Sequence, residues 1–149
     1  MKTQQTYTHY IEWLSAEQMH EASIEWLSEL RFIRDEHLFF EDLITTFTSP
    51  IISSGKFSDT KEIIDAIYKS EKENNALIEA IKTHENKLQI MVDGKNQLKE
   101  EKAYTTEHKS LIITISEFLK NYKSLKSQLF SIIKDIKKEE KLKHLIDRR

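Results

Sequence analysis

Apolar side chains recur at alternating intervals of three and four residues along three long segments of the chain. The first segment opens with Ser15 and Gln18, which have the spacing of a helix-capping box. Its stripe then runs through Met19, Ser23, Trp26, Leu30, Ile33, His37, Phe40, Ile44 and Phe47. This spacing is typical of a helix that packs along other helices at a shallow angle, as in coiled coils. It predicts a helix over residues 16–48, after an N-terminal arm of residues 1–14.

The second and third segments continue the same pattern. A helix over residues 59–93, capped by Ser58 or Asp59, follows a predicted loop from Pro50 to Ser58. Its stripe comprises Ile63, Ile67, Ser70, Asn74, Ile78, Ile81, Glu85, Leu88 and Val92. A third helix is predicted over residues 97–146, with its stripe at Glu101, Tyr104, His108, Leu111, Ile115, Phe118, Tyr122, Leu125, Leu129, Ile132, Ile136 and Glu140.

The start of the third helix has two candidate positions. Gly94 supplies a helix-ending glycine before a fresh N-cap at Asn96, whereas Thr105 or Thr106 could cap a later start. The three-and-four spacing continues without a break through Thr105 and Thr106, which favours the turn at Gly94.

Composition supports an all-α fold. The 149 residues include only two glycines and one proline, too few turn residues for a β-sandwich or barrel. Charged residues make up 32% of the chain, which fits helices with one wet face. We therefore predict a single domain over residues 1–149, an elongated antiparallel up-down bundle of three long helices. A break in the third helix or a partner helix would make it four.

Charge, cysteine content and motifs argue against several classes of function. The net charge of −2 argues against nucleic acid as an obligate partner, which leaves contact with RNA through the basic tail of residues 134–149 as a minor alternative. The absence of cysteine removes disulfides and thiolate sites. No apolar run is long enough to span a membrane, and no signal peptide is recognisable, so a cytoplasmic location is expected. Neither a nucleophile elbow nor a glycine-rich phosphate loop is present, so no catalytic residues are assigned.

Polar residues inside the predicted seams are the candidates for chemistry. Counting helix rise from a turn at Gly94 places Glu85 opposite His108, with Glu101 nearby, and His37 level with Asn74 and Tyr122. The candidate metal ligands are therefore Glu85, His108, Glu101 and His37, for iron, manganese or zinc. Two or three ligands per layer are few for a stable site. A hydrogen-bonded Glu85–His108 pair that fixes helix register, without any cofactor, is the preferred interpretation.

The architecture resembles that of ferritin-like and hemerythrin-like four-helix metal bundles, but the resemblance is one of architecture alone. The ferritin-type pattern requires Glu-x-x-His on two helices, and Glu17–His20 is its single match here. Those two residues are predicted to point away from the seam that contains Trp26 and Ile33.

Two apolar sets lie outside the main stripes. Phe32, Phe39 and Leu43 form a second stripe on the first helix, which contacts either another helix of the bundle or another subunit. The third helix is expected to outrun the others by roughly fifteen residues, leaving Ile132, Ile133, Ile136, Leu142 and Leu145 to be covered by self-association. We therefore expect a non-enzymatic bundle that acts through self-association, for example as a dimer, or through contact with a protein partner. The alternative is a metal-binding bundle with redox or hydrolytic activity.

Overall fold

A computed structural model of the protein describes residues 15–53, 55, 57–93 and 98–147. Its helices are α1 (Ala16–Thr46), α2 (Thr48–Ser53), α3 (Phe57–Asp93) and α4 (Leu98–Asp147). No strand occurs in the part of the chain that is described, so the all-α prediction is confirmed. The predicted arm of residues 1–14 lies outside the described residues.

Local hydrogen bonds explain where α1 begins and why α4 is continuous. The Ser15 backbone N–H donates to Gln18 Oε1 over 2.9 Å, and the Gln18 N–H donates to Ser15 Oγ over 3.2 Å, which confirms the capping box. The hydroxyls of Thr105 and Thr106 donate to backbone carbonyls four residues earlier, over 2.8 and 2.9 Å. Neither threonine caps a helix, so the third long helix starts before them, as the spacing favours.

The predicted loop from Pro50 to Ser58 is wrong in extent. Residues up to Ser53 form the short helix α2, which buries Ile51, and α3 already begins at Phe57. Pro50 lacks the N–H that would continue the α1 hydrogen-bond ladder, but proline is tolerated within the first turn of a new helix. Pro50 is therefore accommodated in α2 without ending helical structure. Gly55, with φ of 75°, supplies the left-handed turn between α2 and α3.

The described chain divides into two compact units. Unit 1 comprises the described residues up to Phe32 and those from Asn74 to Phe118, and unit 2 comprises Ile33–Glu73 and the described residues from Leu119 onward. No helix in the described part of the chain has the length and apolar character needed to cross a membrane.

Unit 1 packs α1, α3 and α4 around a core that includes Met19, Leu88 and Tyr104. His20 of α1 bonds to Glu85, whereas the Leu30 carbonyl accepts a 2.9 Å hydrogen bond from Asn74 Nδ2. Because contacts on α3 move backward as those on α1 advance, these two helices run antiparallel in this unit.

Unit 2 places α1 and α4 side by side in the same direction. Glu36 accepts a hydrogen bond from Lys126, and Lys137 lies over the Phe47 ring with its nitrogen 5.9 Å from the centroid. The buried apolar residues of this unit include Ile33, Phe40, Ile44, Phe47, Ile51, Ile67, Leu129, Ile133 and Ile136. The three-and-four stripe of α1 thus becomes core, as its spacing indicates.

Candidate functional site

Unit 1 contains a chain of hydrogen bonds that joins two buried histidines to a surface carboxylate. His84 of α3 and His108 of α4 are both fully buried, and His84 Nε2 lies 3.0 Å from His108 Nδ1. His84 Nδ1 lies 2.7 Å from Glu107 Oε1, and Lys87 Nζ donates to Glu107 Oε2 over 2.8 Å. We call His84, His108 and Glu107 the histidine relay.

The carboxylate determines which ring nitrogens carry protons. Ionised Glu107 only accepts hydrogen bonds, so neutral His84 donates through Nδ1 and accepts through Nε2. His108 must then donate through Nδ1, which leaves its Nε2 as a lone-pair acceptor. That atom is buried and has no hydrogen-bond partner among the described residues. The relay therefore ends on a buried acceptor nitrogen.

Aromatic rings enclose the relay on both sides. Trp26 of α1 stacks on His108 with ring centroids 4.8 Å apart, and Tyr104 stacks on His84 at 3.9 Å. Burial lowers the pKa of His84, against the opposing effect of Glu107. Burial, with a smaller contribution from His84, lowers the pKa of His108 to about 4. Both imidazoles are consequently neutral at pH 7.

Glu107 keeps its charge in this environment. Burial by itself raises the pKa of the Glu107 carboxyl, but the hydrogen bonds from Lys87 and His84 outweigh it and lower the pKa overall. Burial also raises the pKa of the Tyr104 hydroxyl, and the charges of Glu85 and Glu107 add to that rise. The site is thus a neutral pair of rings anchored to one ionised carboxylate.

The predicted pairing of Glu85 with His108 is wrong. Glu85 instead bonds to Nδ1 of His20 on α1, so His20 does not point away from the seam, and Glu101 is exposed. The structure therefore does not bring Glu85, His108 and Glu101 together as a set of metal ligands. Within the described residues, no group of three or more histidine or carboxylate side chains is arranged to hold a metal ion.

His84 is the residue that the sequence pattern missed. Between Ile81 and Leu88, the spacing fits residue 84, with intervals of three and then four, and it fits residue 85 equally well, with intervals of four and then three. Burying a neutral imidazole costs less free energy than burying a carboxylate, so the helix turns His84 inward and leaves Glu85 at the edge. That difference in desolvation was the available signal.

A second polar cluster lies in unit 2 around His37. His37 Nε2 lies 3.2 Å from Ser70 Oγ, and its ring is 5.3 Å from that of Tyr122, centroid to centroid. The Tyr122 hydroxyl donates to Glu36 Oε1 over 2.9 Å. The predicted neighbourhood of His37 and Tyr122 is therefore present, whereas Asn74 bonds to the Leu30 carbonyl in unit 1 instead.

Replacing His37 with leucine is expected to change the free energy of unfolding at pH 7 by no more than about 1 kcal/mol. The substitution removes a buried polar group of similar volume, including an Nδ1 that has no hydrogen-bond partner among the described residues. The Ser70 hydroxyl left behind can turn to a backbone carbonyl of its own helix, so the lost hydrogen bond is worth little on balance. Ser70→Ala is the matched comparison, because it leaves His37 Nε2 buried and unpaired and should cost ~1–3 kcal/mol. Urea unfolding of both variants checks this order. A larger loss for His37→Leu than for Ser70→Ala would contradict it.

The residues predicted as an interaction surface differ in how exposed they are. Phe32 and Phe39 are 63% and 54% exposed, while Leu43 and Ile132 are partly buried. Ile136 is only 4% exposed, and Ile133 only 5%, so the expected overhang from Ile132 is wrong. Ser49, Pro50 and Ser53 of the unforeseen helix α2 line one groove together with Ile136. Beyond Ile136, the exposed apolar residues of α4 are Leu142, Leu145 and Ile146.

Two exposed phenylalanines pack against one buried ring where α1 and α4 lie side by side in unit 2. Phe39 of α1 and Phe130 of α4 are 54% and 42% exposed, and both rings contact the buried ring of Phe40. The centroid distances to Phe40 are 6.0 Å for Phe39 and 5.6 Å for Phe130. We call this surface, with half-buried Leu43, the aromatic seam.

Comparison with protein-family models, with curated proteins and with solved structures gives no significant match to this chain. The fold defines an all-α helical bundle.

Proposed function

We propose that this chain is a non-enzymatic helical-bundle protein that acts through protein–protein contact, with the aromatic seam as its contact surface. The observation that carries the proposal is the exposure of Phe39 and Phe130 on adjacent helices around a common buried ring. Clustered exposed aromatic side chains are characteristic of the centres of protein interfaces.

The histidine relay supports the non-enzymatic part of the proposal. His84 and His108 are fully buried, between the rings of Tyr104 and Trp26. A general base must come within hydrogen-bonding reach of its substrate. Rings enclosed in this way have no such access, and the relay instead fixes α3 against α4.

The proposal predicts that a photoreactive phenylalanine analogue placed at Phe39 forms discrete protein adducts in living cells. The matched control is the same analogue at Ile113, which lies on α4 in unit 1 and is 57% exposed, close to the value for Phe39. Irradiation should give adducts of defined mass from the Phe39 position and none from the Ile113 position, because only the seam is a contact surface.

Electrophoresis and mass spectrometry of the adducts supply the readout. Equal adduct patterns from both positions would indicate random collision, and no adduct from Phe39 would indicate a bare surface. Either result would overturn the proposed function.

A further inference from the structure

We propose that the partner covering the aromatic seam is a second copy of this chain, related to the first by a two-fold axis parallel to α1 and α4. The inference rests on the proposed function, because it names the partner of the same surface. Its basis is the distribution of charge on the two sides of the seam.

Between residues 35 and 42, the α1 side of the seam carries acidic residues and no exposed basic ones. Asp35 and Asp42 are both exposed, and at about 100° per residue they lie roughly 20° apart around the helix, about 40° and 60° from Phe39 on the same side of it. Glu36, next to them, is already engaged by Tyr122 and Lys126 within unit 2. The outer edge of α1 therefore presents the exposed carboxylates of Asp35 and Asp42 to solvent.

The α4 side of the seam is basic. Lys123 and Lys134 are exposed and lie within roughly 40° of Phe130 around the helix. Further along the helix, an open groove is lined by Phe130 and Ile133 together with lysines, namely Lys134, Lys137, Lys138 and Lys141. The acidic residues of this part of α4, such as Asp135 and Glu139, are placed roughly on its opposite face.

The two charged edges are in register. Lys126 bonds to Glu36 and Lys137 lies over Phe47, so residues of α4 stand level with α1 residues numbered 90 lower. Asp35, Phe39 and Asp42 are then level with residues 125, 129 and 132. Lys123, Phe130 and Lys134 lie within two residues of those levels, or about 3 Å of helix rise.

A two-fold axis along the seam uses this register. Such an axis keeps each residue at its height and exchanges the two sides, so α1 of one copy faces α4 of the other. Asp35 then faces Lys123, Asp42 faces Lys134 and Phe39 faces Phe130, and each pairing occurs twice. A surface with opposite charges on its two sides is thereby complementary to itself.

Other occupants fit less well. A two-fold axis perpendicular to the helices would place α1 on α1 and α4 on α4, so that like charges meet. Nucleic acid or an anionic membrane would be attracted by the lysines but repelled by Asp35 and Asp42. The second copy satisfies both edges at once.

Complementary charge reversals test the proposal in solution. One full-length variant carries Lys123→Glu with Lys134→Glu, and the other carries Asp35→Lys with Asp42→Lys. Analytical ultracentrifugation should find a dimer for the unaltered protein. Each variant alone should be a monomer, with a dimer dissociation constant raised about a hundredfold or more, since attractive pairs become repulsive. An equimolar mixture of the two variants should recover the dimer.

The control reverses Lys69 and Lys72, two exposed residues of α3, to glutamate. It changes net charge as much as the first variant does and should remain a dimer. An unaltered protein that stays monomeric, a dimer that neither reversal weakens, or a mixture that does not recover would each overturn the inference. Adducts from Phe39 to a different protein would then leave the proposed function standing, whereas their absence would end both.

Discussion

Acidification from pH 7 to pH 4 is expected to lower the free energy of unfolding by about 3 kcal/mol through His108 alone. The folded protein holds the pKa of His108 at about 4, below the ordinary value of 6.5. Protons therefore bind the unfolded chain first as the pH falls. The stability that this histidine contributes is complete above pH 6.5 and is lost progressively as the pH approaches 4.

His84 and Glu107 lie in the same relay, so the contribution of His108 must be isolated by substitution. His108→Gln keeps a side-chain donor for His84 Nε2 but does not ionise. Urea unfolding across this pH range should show a pH dependence smaller by about 3 kcal/mol in the variant. His144→Gln, at an exposed position of α4, is the matched control and should leave the pH dependence unchanged. Identical pH profiles for His108→Gln and the unaltered protein would refute the buried, neutral relay.

Truncating Phe40 to alanine is expected to cost ~3–5 kcal/mol in the free energy of unfolding. Phe40 has no exposed surface, and its ring contacts those of His37, Tyr122 and Phe130 as well as Phe39. Its removal leaves a cavity between α1 and α4 that the surrounding side chains fill only in part. It also removes the floor of the aromatic seam, so dimer formation should weaken in parallel.

Phe32→Ala provides the control for this truncation. Phe32 lies on the same helix but is 63% exposed, so the same change of side chain should cost less than about 1 kcal/mol. Chemical unfolding at low protein concentration measures both variants without a contribution from association. Similar losses for the two would show that burial at Phe40 is not what stabilises unit 2.

The long helices were predictable because one physical rule governs them. Apolar spacing places Leu30, Ile33 and Phe40 on one side of α1, and each is buried. Capping at Ser15 and the uninterrupted frame through Thr105 and Thr106 follow from equally local chemistry. The spacing of apolar residues is enough to predict which side chains of α1 are buried, because it does not require knowing which residues of the other helices they contact.

The contacts between helices were less predictable. Counting helix rise does not distinguish His84 from Glu85, because the two neighbours stand at nearly the same height on α3. The pattern therefore predicts Glu85 as the partner of His108, whereas the partner in the structure is His84. Pro50 suggested a loop, but at the third position of α2 it leaves helical structure intact, and residues of α2 line a groove together with Ile136. The sequence pattern predicted only one side of the aromatic seam. Phe39 belongs to the second apolar stripe of α1, whereas the place of Phe130 beside it depends on the parallel contact of α1 with α4.

The central claim is that a second copy of the chain covers Phe39 and Phe130. Hydroxyl-radical footprinting, read by mass spectrometry at each phenylalanine, tests it most directly on the unaltered protein over a range of concentrations. Oxidation of Phe39 and Phe130 should fall together as concentration rises, while Phe32 on the same helix stays reactive. Unchanged oxidation of all three residues at every concentration, in keeping with their exposure in the single chain, would contradict the account.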